Sequence, residues 1–135
     1  MKKLLGFILV LTIMVGCGKK VYPDVNWGNN KKWIITELNG VPVQQSGTDK
    51  DAHFVFDPET KRVGGSAGCN RISGFYTIEK KNNIKFGEIA STKMACPDLA
   101  FEEAVLKAIP TITQFTVENN QLLFWNNNTI VFKLR

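Results

Sequence analysis

Apolar and polar positions alternate along most of the chain after residue 30, and this pattern predicts short β-strands. The alternation is cleanest from Ile72 to Ile78, which suggests a strand with one buried face. Gly, Pro, Asn and Asp separate the apolar segments and predict turns between them. The segments that fit strands are 32–38, 41–43, 52–56, 62–67, 71–78, 84–89, 114–118, 122–125 and 129–134.

The segment 97–109, PDLAFEEAVLKAI, has a helical period instead. Pro97 and Asp98 suit the start of a helix, and Pro110 would end it. We therefore predict a mainly β (α+β) fold: a single small antiparallel sheet of seven to eight strands, curled or closed into a partly open β-barrel and packed with one α-helix. No internal repeat or second domain is visible.

Asn39-Gly40 lies between two apolar segments and predicts a tight hairpin turn, because both residues accept a positive φ. Pro42 cannot donate a backbone hydrogen bond, so the strand that follows this turn should lie at an edge of the sheet.

The first residues of the chain have the pattern of an export signal. Lys2 and Lys3 precede an apolar run over residues 4–15, which is too short for a membrane-spanning helix. The run ends at Val15-Gly16-Cys17, which resembles the bacterial lipobox. This resemblance implies cleavage after Gly16 and a diacylglycerol anchor on the sulfur of Cys17. The alternative is an ordinary secretory signal with a chance cysteine.

These observations divide the chain into a signal peptide (1–16), a lipid-anchored flexible tether (17–30) and one folded domain (31–135). The predicted location is the bacterial cell envelope, outside the cytoplasm. Gly18, where an Asp would retain the protein at the inner membrane, favours the periplasmic face of the outer membrane if the source is Gram-negative.

The charge of the chain limits its partners. The formal net charge is +5, and loss of Lys2 and Lys3 would lower it by two, to +3. No run of basic residues is longer than two, so a nucleic-acid partner is not predicted. We expect a monomer attached to a membrane, with a protein partner whose identity the sequence does not give.

An ordered series of short motifs resembles the META domain, the family of the HslJ-type heat-shock lipoproteins. The series is Trp33, the run Leu38-Asn39-Gly40, Phe54-Val55-Phe56, Gly68-Cys69-Asn70-Arg71 with Gly74-Phe75-Tyr76, Thr92-Lys93-Met94-Ala95-Cys96, and a following Glu102 or Glu103. The resemblance implies a compact, mainly β fold packed with one helix. It also implies an envelope protein linked to tolerance of heat and novobiocin, in a family with no established enzymatic activity.

The motif around Cys69 invites a catalytic interpretation that the rest of the sequence does not support. A cysteine nucleophile needs a base, and the one histidine, His53, lies in a predicted strand with no hydrolase signature nearby. Glu102 and Glu103 are adjacent and should diverge around the helix, as charges near its start. No CxxC or HxxxH spacing predicts a metal site, and no motif predicts a cofactor. We therefore predict that the protein is not an enzyme.

Cys69 and Cys96 are the two cysteines left after Cys17, in a chain exported from the reducing cytosol. We predict a disulfide between them, which would close a loop of about 28 residues and stabilise the domain by about 3.5 kcal/mol. The alternative is a pair of buried free thiols. Asn70 and Arg71 should have structural roles in a glycine-rich bend, and the alternative is that they form a partner surface.

Three functions are compatible with this sequence. The leading hypothesis is a non-enzymatic envelope protein that supports stress tolerance through a protein partner or through the envelope itself. The second is a carrier of a small hydrophobic ligand in a lipocalin-like cavity, and the third is an inhibitor or pilot of another envelope protein, acting through an exposed strand edge.

Overall fold

The computed structural model describes residues 30–80 and 82–135. The predicted signal peptide, Cys17 and nearly all of the tether 17–30 lie outside the described residues. Those predictions stay predictions.

The described chain consists of ten strands and one α-helix. The strands are β1 (Lys32–Leu38), β2 (Val41–Pro42), β3 (His53–Asp57), β4 (Arg62–Ser66), β5 (Arg71–Ile78), β6 (Ile84–Phe86), β7 (Ala90–Ser91), β8 (Gln114–Glu118), β9 (Gln121–Asn126) and β10 (Thr129–Leu134). The helix α1 (Leu99–Ala108) continues into a 3₁₀ turn, Ile109–Thr111.

Eight of these strands form one antiparallel sheet in the order β6-β5-β4-β3-β1-β10-β9-β8, with β2 added to β1 and β7 added to β5. The two ends of this order meet. Asn83 and Gln114 form a bridge, Ile84 N donates to Thr113 O at 3.1 Å, and Phe115 N donates to Asn82 O at 3.0 Å. Over residues 30–80 and 82–135 the sheet is therefore a nearly closed barrel with a single helix, which confirms the predicted fold class.

Aromatic side chains fill the middle of the barrel. The rings of Phe54, Phe56, Tyr76, Phe86, Phe124 and Phe132 are buried and pack with centroid distances of 5.4–6.4 Å. Edge-to-face contacts predominate, as aromatic quadrupoles favour. In the described part of the chain, packed rings fill the middle of the barrel, and the ligand-carrier hypothesis, which places a cavity between sheet and helix, stays a prediction.

The hairpin between β1 and β2 has the turn that its sequence predicts. Asn39 and Gly40 have φ angles of 48° and 81°, in the left-handed region. β2 pairs with β1 through Leu38–Val41 and Glu37–Pro42.

The segment 84–89, expected as one strand, is interrupted. β5 pairs with β6 through residues 76–78 and with β7 through Ile72 and Ser73. Between these two pairings the chain passes over Gly74, where a Cβ would lie 2.7 Å from the carbonyl oxygen of Glu88. The close backbone approach at Gly74 replaces a continuous ladder with two short strands.

Helix α1 lies at the end of the barrel where β1 ends and β5 begins. Asp98 caps the helix by accepting a hydrogen bond from Phe101 N at 3.3 Å, as the Pro97-Asp98 pair predicts. Val105 and Ala108 bury the inner face of the helix against the core. We call this end of the barrel the helix end.

Candidate functional site

The GCNR motif forms the turn between β4 and β5 at the helix end. Gly68 has φ of 130°, and a Cβ there would lie 3.4 Å from the ring of Phe101, so a glycine lets the turn approach α1 closely. Cys69 and Cys96 form a disulfide with a Cα–Cα distance of 6.1 Å. The bridge ties this turn to the segment before α1. We call residues 67–70, 92–96 and Glu102 the stapled corner.

Asn70 is the polar centre of the stapled corner. Its side chain is 2 % exposed. Asn70 Nδ2 donates to Glu102 Oε1 at 2.8 Å, and Asn70 N donates to Glu102 Oε2 at 2.9 Å. Asn70 Oδ1 accepts from Met94 N at 2.8 Å and from Thr92 Oγ1 at 2.9 Å. This burial corrects the alternative in which Asn70 forms a partner surface, because the side chain is withdrawn from solvent.

Glu102 is buried as well, at 5 % exposure. Removal from water is the largest single effect on its pKa and would raise it. The hydrogen bonds from the backbone and side chain of Asn70, from Cys69 N–H and from Ser91 together outweigh that effect and lower the pKa. A buried carboxylate held by these donors corrects the prediction that Glu102 is only a charge at the helix start.

Glu103 has the environment expected of a charge near the start of the helix. It is exposed and pairs with Lys107 one turn further along the helix, at 3.9 Å. Two adjacent glutamates therefore have different environments, as their divergence around the helix requires.

Arg71 remains at the surface of the stapled corner. Its backbone N donates to Thr92 Oγ1 at 3.1 Å, and its carbonyl oxygen accepts from Thr92 N at 3.0 Å. The side chain is exposed. A partner surface at Arg71 stays a prediction.

In the described part of the chain, Cys69 and His53 do not form a nucleophile–base pair. His53 lies on β3, half-buried, with Nδ1 2.7 Å from the carbonyl oxygen of Asp51. Burial, the largest effect, lowers the pKa of His53. Cys69 is held in a disulfide and has no thiolate for a base to generate. Over residues 30–80 and 82–135, no group of three or more His, Cys, Asp or Glu side chains could hold a metal ion.

An open groove of about 520 Å³ runs beside the stapled corner. Its walls come from the β1–β2 turn, the segment 43–52, the β4–β5 turn and α1. The apolar lining residues are Leu38, Val41, Pro42, Val43, Ala52, Gly68, Phe101 and Ala104, and the charged lining residues are Lys50, Asp51 and Asp98. Val41 is 65 % exposed. We call this the helix-end groove.

Asp51 fixes the loop that forms one wall of the helix-end groove. Its carboxylate accepts from Ser46 Oγ at 2.7 Å, Ser46 N at 2.7 Å and Gly47 N at 2.9 Å. The side-chain and backbone hydrogen bonds from Ser46 are the largest causes of its lowered pKa. The sequence does not predict this groove, because its walls come from four separate segments; the apolar Val41-Pro42 pair after a turn is the available signal.

A family model for the META domain matches residues 26–135. The chain is a META-domain protein. The match covers the whole barrel and α1, and it includes the motifs around Cys69 and Cys96. No curated protein sequence matches the chain.

Two solved structures have the same fold as this META domain. An NMR structure of a protein from Burkholderia xenovorans aligns with a TM-score of 0.59 at 22 % identity, covering 79 % of this chain and 83 % of that chain. A second NMR structure aligns with a TM-score of 0.59 at 19 % identity, covering 78 % of this chain and 89 % of that chain. At these identities the likeness concerns the fold alone.

Within the described ranges, no helix combines the length and the apolar character needed to cross a lipid bilayer.

Proposed function

We propose that this META-domain protein is a non-enzymatic, lipid-anchored protein of the bacterial envelope that supports stress tolerance by binding a protein partner in the helix-end groove. The observation that carries the proposal is the groove itself, an open apolar surface beside a corner whose buried polar groups hold the fold. Exposed apolar patches with polar rims are typical of sites for protein contact.

The stapled corner supports a binding function over catalysis. The carboxylate of Glu102 accepts from Asn70, and Asn70 Oδ1 accepts from Thr92 and Met94. The side chains of Asn70 and Glu102 therefore hold the β4–β5 turn against α1 and are occupied by each other. The adjacent helix-end groove is the surface that a partner would contact.

The predicted export signal and the disulfide support the envelope location. Disulfides persist in oxidising compartments and are rare in the cytosol. The lipobox resemblance at Val15-Gly16-Cys17 supplies the anchor. On this proposal the sulfur of Cys17 carries a diacylglycerol, and the rest of the chain is held at the membrane through residues 17–30.

The groove is tested by complementation of a deletion strain with Val41→Glu. A carboxylate at this exposed position would place a charge in the apolar groove without disturbing the core, and it should abolish recovery from heat or novobiocin. The matched control is Val117→Glu, because Val117 is an exposed strand valine, at 44 %, that does not line the groove. It should complement as the wild type does, at equal protein level on an immunoblot.

Each part of the proposal has its own contrary result. Full complementation by Val41→Glu would show that the helix-end groove is not needed for the function. A deletion strain that tolerates heat and novobiocin as well as its parent would show that the protein has no role in stress tolerance. Mass spectrometry of the membrane fraction tests the anchor separately, and an unmodified Cys17 in the processed protein would exclude it.

A further inference from the structure

The two sulfur atoms of the disulfide have different environments. Cys69 lies on the β4–β5 turn and is exposed, whereas Cys96 lies in the segment that precedes α1 and is half-buried. Thiol–disulfide exchange requires a thiolate to reach one sulfur in line with the bond. Cys69 is the more exposed of the two residues, which favours its Sγ as the atom that an incoming thiolate attacks.

The half-buried sulfur has a hydrogen-bond donor beside it. Cys96 Sγ has two polar neighbours: Asn70 Nδ2 at 3.8 Å, and the carbonyl oxygen of Met94 at 3.4 Å, which offers a thiolate no hydrogen bond. Attack on Cys69 would expel Cys96 as a thiolate, and exchange is faster when the leaving thiolate is more stable. The carboxamide of Asn70 therefore stands where negative charge would develop on the leaving sulfur.

The disulfide is not the only link between the two segments it joins. Asn70 Oδ1 accepts from Met94 N and Thr92 Oγ1, and Thr92 N donates to Arg71 O at 3.0 Å. These hydrogen bonds hold residues 92–94 to the β4–β5 turn beneath the bridge. The barrel can therefore keep its strands when the sulfur–sulfur bond opens.

From these three observations we propose that the Cys69–Cys96 disulfide is a thiol-exchange site of the folded domain, with Cys69 as the attacked sulfur and Cys96 as the leaving group. The reactant class is a low-molecular-weight thiol. Exposed Arg71 and Lys93, in the two segments that the bridge joins, favour a thiol that also carries negative charge.

The exchange balances without a further oxidant or reductant. The thiolate of the small molecule forms a new sulfur–sulfur bond to Cys69 Sγ, and the bond between Cys69 and Cys96 breaks. Its electron pair goes to Cys96 Sγ, which then takes a proton from water. The reverse attack by the Cys96 thiolate on Cys69 expels the small thiol and restores the bridge.

Exchange at this bond would act on the helix-end groove. Gly68, next to Cys69, and Asp98, two residues after Cys96, both line the groove. The disulfide thus fastens two groove walls to each other. The thiolated form would keep the barrel and loosen these walls, so the groove would have two states set by the thiols around it.

The test uses the full chain, purified without reductant. The protein is first alkylated, so that Cys17 has no reactive thiol even where it carries no lipid. Reduced glutathione is added, and newly released thiols are trapped with an isotopically heavier alkylating reagent. Peptide mass mapping should find glutathione on Cys69 and the heavy label on Cys96, with an unchanged far-ultraviolet circular dichroism spectrum. The double variant Cys69→Ser/Cys96→Ser should give complete loss of both labels.

Two variants of the corner examine the role of Asn70 as a positioning residue. Asn70→Ala removes the donor beside Cys96 together with the side-chain hydrogen bonds to Glu102, Met94 and Thr92. Thr92→Val leaves that donor in place and removes the hydrogen bonds of Thr92 Oγ1 to Asn70 and Arg71. Release of Cys96 should be several-fold slower in Asn70→Ala than in Thr92→Val. If Asn70→Ala does not fold, the distribution of labels in the wild type decides the question.

Three results would overturn the proposal. The first is glutathione found mainly on Cys96. The second is labelling that begins only in denaturant, when the barrel has unfolded. The third is a wild-type chain that stays unlabelled while a small-molecule disulfide in the same tube is exchanged.

Discussion

In the middle of the barrel six aromatic rings from β3, β5, β6, β9 and β10 pack against one another, whereas at the stapled corner a carboxamide and a carboxylate are buried together. The rings meet in edge-to-face or tilted pairs. At the corner the distances between donors and acceptors are 2.8–2.9 Å. The six rings and the Asn70–Glu102 pair are all buried, but different forces hold them.

Burial of apolar area is non-directional, so the middle of the barrel depends on volume and shape. The stapled corner depends on the pairing of hydrogen-bond donors with acceptors. Removing one side of a buried hydrogen bond leaves the other group unsatisfied, which costs about 1–3 kcal/mol. Equal burial therefore predicts different effects of substitution on the free energy of unfolding. In the middle of the barrel the loss should follow the size of the cavity that a substitution leaves. At the stapled corner it should follow which hydrogen-bond donor or acceptor is removed.

The largest effect should come from Phe124→Ala in the middle of the barrel. Phe124 is buried and lies within ring-centroid distances of 5.6–6.4 Å of Phe54, Phe56, Phe86 and Phe132. A cavity there should lower the free energy of unfolding by about 3–5 kcal/mol, measured by denaturant titration. Phe75→Ala is the control, because Phe75 is 59 % exposed and should change the free energy by less than about 1 kcal/mol. Equal losses from the two variants would contradict the packing account.

The next effect should come from the double variant Cys69→Ser/Cys96→Ser, which opens the corner on its solvent side. The sequence separation is 27 residues. On the chain-entropy account the free energy of unfolding should fall by about 3.5 kcal/mol. Because the hydrogen bonds of Asn70 remain, the far-ultraviolet spectrum of the variant should match that of the wild type. A variant that is unfolded at room temperature would show that the hydrogen bonds of Asn70 cannot hold the fold without the disulfide.

Sequence patterns predicted the elements whose causes are local. β1, β5, β8 and β10 have the bounds that alternation indicates. Asn39-Gly40 makes the predicted turn, because the φ preference of each residue is a property of that residue. Asp98 caps α1 for the same kind of reason, since the capping oxygen and the Phe101 N–H are three residues apart.

The parts of the site that were missed depend on contacts between distant segments. Glu102 bonds to Asn70, 32 residues earlier, and nothing near Glu102 distinguishes it from its neighbour Glu103. The split of 84–89 into β6 and β7 depends on the approach to Gly74, which tertiary packing alone determines. The helix-end groove is likewise a product of the closed barrel. The pairing of Cys69 with Cys96 was accessible because only two cysteines remained after Cys17.

Glu102→Gln should have a smaller effect than the disulfide variant and a more specific one. The amide would place a donor against Asn70 N–H or Asn70 Nδ2, so at least one hydrogen bond is lost. We expect the free energy of unfolding at neutral pH to fall by about 2 kcal/mol. The adjacent Glu103→Gln is the matched control and should stay within about 0.5 kcal/mol of the wild type. If the two variants are equally stable, the buried carboxylate does not hold the corner.

The smallest effect should be the pH dependence of the difference in unfolding free energy between Glu102→Gln and the wild type. Hydrogen bonds hold the pKa of Glu102 in the folded protein below its ordinary value of 4.5. The ionised carboxylate therefore stabilises the fold at pH values above 4.5, and this contribution is lost as the pH falls through the folded pKa.

Asp51 and Asp57 also have lowered pKa values, but they are present in both chains and their contributions cancel in the comparison. The wild type should be the more stable protein at neutral pH, and its advantage over Glu102→Gln should narrow as the pH falls below about 4.5. Denaturant titrations of both chains across this range measure the effect. A difference that stays constant down to about pH 3 would mean that Glu102 titrates alike in the folded and unfolded chains. The corner would then be held by the shape of its contacts and not by the charge of its carboxylate.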